Sequence, residues 1–172
     1  SGRYNTTAIN GVFVGRCSGY SNTSGHHNTF IGMNAGRMNT TGYSNTFLGH
    51  QAGKNQTTSY ENVIVGFECN GYGTGAGYRN SMLGYQAGYK LTSARDNVYI
   101  GWKAGYETTT GYYNTYVGID SGHKNTTGHT NLAIGGGSCY KITSGAYNTI
   151  VGINAGYQMT TATNSVFIGM EA

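Results

Sequence analysis

The feature that most constrains this chain is a phrase that returns every 17 residues. It reads Asn-Thr-aromatic-Ile-Gly-x-x-Ala-Gly, then Thr-Thr-Gly, and its clearest copies start at Asn28, Asn45, Asn114 and Asn148. Aligned on it, repeats begin at Gly11, Asn28, Asn45, Asn62, Asn80, Asn97, Asn114, Asn131, Asn148 and Ser165. The step is 18 only from Asn62 to Asn80, and the additional residue falls in the glycine-rich cluster 71–77. A fixed short period means one small unit stacked on itself, each copy burying the face of the next. Residues 1–172 therefore read as a single repeat domain, with residues 1–10 as the back half of a preceding repeat and the chain as a segment of something longer.

The columns of this alignment predict the architecture. The Gly that closes the first half of the phrase is Gly in every copy, from Gly15 to Gly169, which calls for positive φ or close backbone approach. The residue before it is always Val, Ile or Leu, and that column is predicted to be the core: Ile100→Ala should then destabilise far more than Tyr106→Ala. Asn fills eight of the ten start positions, as expected of a stacked amide ladder at a turn. The 30 glycines, without proline, forbid long helices, and β-branched and aromatic content favours strands. Disorder is excluded by 37% hydrophobic residues and a net charge of only +4. No run approaches the roughly 18 apolar residues of a membrane span, so no membrane insertion is expected. The fold class is all-β: a parallel β-solenoid, or β-roll, of about ten 17-residue coils, each with two short strands and two turns. At about 4.8 Å per coil the rod is roughly 48 Å long.

One column does not suit a lone solenoid. Side chains alternate along a strand, so if Ile31 points inward its neighbour Phe30 points outward. That neighbouring column contains Phe13, Phe30, Phe47, Tyr99, Tyr116 and Phe167, which are predicted to form an oligomer interface. A strand apolar on both faces is covered on both, most simply by copies of the same chain laid lengthwise.

Asn28-Thr29-Phe30-Ile31-Gly32 and its nine counterparts resemble the repeats of bacteriophage tail fibres and related surface proteins. They are also similar, with a longer coil, to the Ser-Val-Ala-Ile-Gly repeats in the heads of trimeric autotransporter adhesins. The resemblance spans essentially the whole chain. It implies a homotrimer of parallel β-rolls, extracellular, on a virion fibre or a bacterial cell surface, that presents a receptor-binding surface. Handedness and trimer packing are the points at which the longer coil departs from the adhesin heads.

Chemistry has little purchase in the sequence. Glu68, Asp120 and Glu171 share a column but stand three coils apart, roughly 14 Å, beyond the about 5 to 9.5 Å of a glycosidase pair. The histidines lack the spacing of a zinc finger or a HExxH helix. Cys17, Cys69 and Cys139 sit too far apart for a disulfide, and Cys69 takes the place of a small alanine as a buried filler. No enzyme, cofactor or metal is expected. A polysaccharide hydrolase assembled between subunits is the distant alternative.

The candidate ligand surface is an edge of tyrosines and basic residues: Tyr20, Arg37, Lys54, Tyr89, Tyr106, Lys124, Tyr140 and Tyr157. Tyrosine offers a flat apolar face and a hydroxyl, suited to sugar rings or protein surfaces. Stacked tyrosines would equally serve only to cover the solenoid, and the charges only to solvate it. A host-surface glycan or protein receptor is the expected partner, and a net charge of +4 spread over a rod argues against nucleic acid. The rival reading is a purely structural spacer or filament subunit. An ice-binding reading of the threonine column, Thr6 to Thr160, is less favoured. Thr40 and Thr41 are adjacent, so they point to opposite sides, one bonding backbone and one facing out.

Overall fold

Each repeat contributes one three-residue strand, from β1 (Val12–Val14) and β2 (Thr29–Ile31) through β6 (Val98–Ile100) to β10 (Val166–Ile168). The ten strands pair in parallel, each with the next, in one sheet with the repeats in register, so that Phe30 lies beside Phe13 and Phe47. The computed structural model describes residues 1–172. The chain is a parallel β-solenoid.

The second strand expected in each coil is only a line of single bridges, such as Tyr60 to Tyr78 to Arg95 to Tyr112. The residue after each of these is left-handed, for example Glu61, Arg79, Asp96 and Tyr113, with φ between 53° and 58°. That conformation turns the chain out of the extended region after one residue. Thr130 occupies this column with φ 56°. A β-branched residue there is strained by about 1–2 kcal/mol, whereas Asn tolerates it. Thr130→Asn is therefore expected to raise stability by about 0.5–1 kcal/mol in urea denaturation, and a loss would contradict the strain.

Two expected ladders form. The Asn45 side chain donates to Asn28 Oδ1 at 3.1 Å and to the Ser59 carbonyl at 2.8 Å, and Asn28 Oδ1 also accepts the Asn45 backbone N–H at 3.0 Å. The pattern continues to Asn148, with these asparagines buried. Beside it, Thr40 Oγ1 donates to the Thr57 carbonyl at 3.1 Å while Thr41 is exposed, the alternation that adjacent threonines predict. The invariant glycine column has φ between 121° and 146°. A Cβ on Gly101 would stand 2.4 Å from the Gly118 carbonyl oxygen in the next coil, so no side chain fits.

The interior reverses the predicted facing of the strands. Phe30, Phe47, Tyr99 and Tyr116 are buried within the chain, and Phe13 and Phe167 pack on the same core at its two ends. These six residues are core residues, not an oligomer interface. The Val/Ile/Leu column faces out instead, with Ile100 39% exposed. The reason is reach. A coil interior is spanned from the strand to the opposite wall, and an aromatic ring spans it where a branched aliphatic does not. The Phe30 ring lies against Gly36, whose Cβ would meet it at 2.6 Å, and the Tyr116 hydroxyl crosses to accept a bond from Asn125 Nδ2 at 2.8 Å.

Volumes compensate coil by coil. Where the glycine facing the ring is replaced by Cys139, the strand residue shrinks to Ala133, and Ile142 fills the place Asn125 holds in the preceding coil. Where Asn70 replaces that glycine, Ile64 replaces the ring. Burial pushes the Cys139 thiol up to about 12 and raises the Cys69 thiol and the Tyr99 phenol as well. Cys69 is the buried filler its column predicts, and all three cysteines are free.

Candidate functional site

Two surfaces remain once the core is assigned. The first is the outer face of the sheet. Because the central residue of each strand points in, the first and third point out. The third column carries Val14, Ile31, Leu48, Leu83, Ile100, Ile134 and Ile168, all exposed. Beyond the invariant glycine a further outward column carries Met33, Phe67, Tyr85, Trp102, Ile119, Ile153 and Met170. Its rings stack along the rod, with Phe67 to Tyr85 at 5.6 Å and Tyr85 to Trp102 at 6.0 Å. The first column is Thr, Val, Ser or Leu, and no charged residue stands at an outward strand position in any coil. Sequence reasoning found an outward apolar stripe but placed it one residue off.

The second surface is the tyrosine-basic edge. The tight turn after each strand ends at the residue facing the core side chain, glycine in all coils but those of Asn70 and Cys139, and the next residue is thrown outward at the same place. Tyr89, Tyr106, Tyr140 and Tyr157 fall there. The structure brings them into one ladder, with Tyr72 to Tyr89 at 5.6 Å, Tyr89 to Tyr106 at 5.1 Å and Tyr140 to Tyr157 at 4.9 Å. His123 completes it, 5.0 Å from Tyr106 and 4.9 Å from Tyr140. Sequence reasoning missed His123, although its place in the tyrosine column marks it. Asp120 Oδ1 lies 2.7 Å from His123 Nδ1 and sets the ring's orientation.

Tyr20, Arg37 and Lys54 lie on the same edge toward the other end, separated from the six-ring ladder by Gly71. Arg37 stands 5.9 Å from the Tyr20 ring centre, and its buried Nε has no hydrogen-bond partner. Lys124 is exposed beside Tyr140 at 6.0 Å. Lys90 is paired with Glu107 at 3.1 Å, and Lys141 donates to Gln158 at 2.7 Å. Burial, with Glu68 nearby, raises the Tyr89 phenol, and burial with Asp120 nearby raises Tyr140. These phenols are neutral donors at physiological pH.

The stacking changes what the edge can offer. The rings lie face to face along the rod, with interplanar angles of 7° to 23° in the six-ring ladder. Their π faces are covered by each other, so no flat platform is left for a sugar ring. What faces solvent is a row of ring rims, one per coil, phenolic except at His123, flanked by ammonium groups. Such a row recognises hydrogen-bonding and anionic groups instead of stacking on them.

Of the three carboxylates that share a column, Glu68 accepts a bond from Gln86 at 2.8 Å and Asp120 holds His123. No three His, Cys, Asp or Glu side chains converge. No protein-family model matches the chain, and no curated protein or solved structure does.

Proposed function

We propose that the chain is a non-enzymatic segment of a homotrimeric fibre, extracellular on a virion or a bacterial surface, whose solenoids pack lengthwise and turn the tyrosine-basic edge toward a host surface. The observation that carries this reading is the apolar sheet face. It runs the full length of the rod, about 48 Å, and is three extended residues wide, so its flat area is on the order of 500 Å². That is near the upper end of what soluble monomers expose. Its columns repeat at one strand spacing, so a second copy in the same direction meets the same pattern in every coil. The resemblance to tail-fibre and adhesin repeats points the same way and supplies the number three.

Sedimentation equilibrium tests the assembly. The wild-type chain is expected to be a trimer at micromolar concentration, and Leu83→Glu with Ile100→Glu a folded monomer, because charge on an unpaired apolar face is stranded on burial. Tyr106→Ala should leave the assembly intact. A stable wild-type monomer would remove the central support.

The spacer reading, with no receptor, has one observation of its own: the ring faces of the edge are consumed by stacking, so the ladder stabilises the rod whether or not anything binds it. A glycan and cell-surface screen separates the two, with Lys124→Ala as the control. Binding that depends on Lys124 supports the receptor reading, and no binding by the intact trimer supports the spacer.

A further inference from the structure

The solenoid lines up phenol rings in a way that has a chemical consequence of its own. A second ladder on the bridge side of the coils stacks Tyr43 on Tyr60 at 5.1 Å and Tyr60 on Tyr78 at 4.7 Å. The Tyr60 and Tyr78 rings are within 5° of parallel, and their backbones form a parallel bridge. Both are half-buried, with their faces held together. They flank the single 18-residue step, the one place where the coil departs from its period.

We propose that Tyr60 and Tyr78 form an oxidative coupling site, at which a haem peroxidase with hydrogen peroxide joins the two rings and locks neighbouring coils together. Each phenol gives up one electron and its hydroxyl proton, leaving two neutral phenoxyl radicals. The unpaired density on each ring carbon beside the oxygen lies perpendicular to the ring plane. Stacked rings point those lobes at one another, so one carbon–carbon bond forms between them. The two hydrogens displaced from the coupled carbons return to the oxygens, restoring both phenols. The electrons and protons lost reduce one peroxide to two waters.

The geometry predicts selectivity against exposure. Tyr72, Tyr113 and Tyr147 are the more open phenols, 63%, 55% and 57% exposed, and Tyr72 meets Tyr89 at 5.6 Å and 23°, wider and more tilted than the 4.7 Å and 5° of Tyr60 and Tyr78. Tyr113 meets Tyr112 edge-on, at 78°, and Tyr147 meets only His129, at 88°. Neither Tyr113 nor Tyr147 stacks face to face with another phenol. Coupling at Tyr60 and Tyr78 closes a covalent loop across the irregular coil, where the regular repeat gives least support, and raises the denaturation midpoint by restricting the unfolded chain.

The test treats the dilute full chain with peroxidase and peroxide, cleaves it after glutamate, and reads the products by mass spectrometry. Glu61 and Glu68 lie between the two rings, so coupled peptides remain joined with the loss of two hydrogens. The expected result is that the Tyr60–Tyr78 product exceeds any product containing Tyr113 or Tyr147. Tyr78→Phe keeps the stacked ring but has no hydroxyl to oxidise, so it removes that product. Dominant coupling at Tyr113 or Tyr147, a product pattern unchanged in denaturant, linkage only between chains, or no coupling at all would each overturn the proposal. The wild-type product ratio carries the test even if the variant were unstable.

Discussion

Phe47→Ala is expected to destabilise the rod by about 3–5 kcal/mol, the range for truncating a buried aromatic. The neighbouring Leu48→Ala should cost only about 1 kcal/mol in the single chain, since half of a leucine's burial is at stake. Phe47 is buried, stacks on Phe30 at 4.7 Å, and presses on the glycine wall at Gly53. Leu48 is 44% exposed on the outer face. Removing the ring leaves a void bounded by fixed backbone, because the hydrogen bonds between coils keep the walls at one strand spacing and the coil cannot collapse. Guanidinium denaturation of both variants measures the pair. The loss at Phe47 should not change with protein concentration, whereas the loss at Leu48 should grow with concentration if the outer face is an interface. A larger loss at Leu48 in dilute solution would return the facing to the opposite choice.

That choice is where sequence reasoning met its limit. Period-2 alternation says that Phe47 and Leu48 face opposite ways, and it says nothing about which way is in. An unbroken Val/Ile/Leu column looks like a core because it is uniform. The true core column is the less uniform one, running from Ala133 to Tyr116, because each of its residues matches a partner across the same coil. Ala133 with Cys139, Ile64 with Asn70 and Tyr99 with Thr108 show that matching, and it was written in the sequence as paired departures from the repeat. What could be read without partners was read correctly. A glycine that is never substituted, as at Gly101, needs a place where no Cβ fits, and an asparagine repeated at one position needs a ladder.

The tyrosine edge shows the other limit. Its residues were legible as a column, since a surface position that repeats at one strand spacing must line up. Its ring orientation was not legible, because orientation follows from packing between neighbours and not from position along the chain. Rings about 5 Å apart on adjacent coils have room only to lie face to face or to splay. They lie face to face, which removes stacking platforms from the surface and leaves hydroxyls and ammonium groups as its means of recognition.

Asn114→Leu is expected to destabilise the protein by about 3–5 kcal/mol without creating any void, because it strips a buried ladder of its bonds. Asn114 donates to Asn97 Oδ1 at 3.3 Å and to the Gly128 carbonyl at 2.8 Å. Its own Oδ1 accepts from the Asn131 backbone N–H and side chain, both at 3.1 Å. Leucine has nearly the same size and supplies neither donor nor acceptor. The Asn131 N–H then loses its partner, and Asn97 Oδ1 keeps only the Asn114 backbone N–H, in a place water does not reach. Each stranded group costs about 1–3 kcal/mol. Asn114→Asp separates the donor from the acceptor. The carboxylate still accepts from Asn131, but it faces Asn97 Oδ1 and the Gly128 carbonyl with no proton to give, and it is buried without a cation. Those acceptors and desolvation favour the neutral acid, so its folded-state pKa lies above the roughly 3.9 of an unfolded aspartate. The folded state then holds more protons than the unfolded one across that interval. Stability is retained below the unfolded value and lost as pH rises through the folded one. Relative to wild type, Asn114→Asp should therefore recover stability on acidification from pH 7 toward pH 4, while Asn114→Leu shows no such recovery. Urea midpoints of the three proteins across that range decide it. Parallel pH profiles for Asp and Leu would mean that the side-chain donor of Asn114 contributes nothing to the ladder.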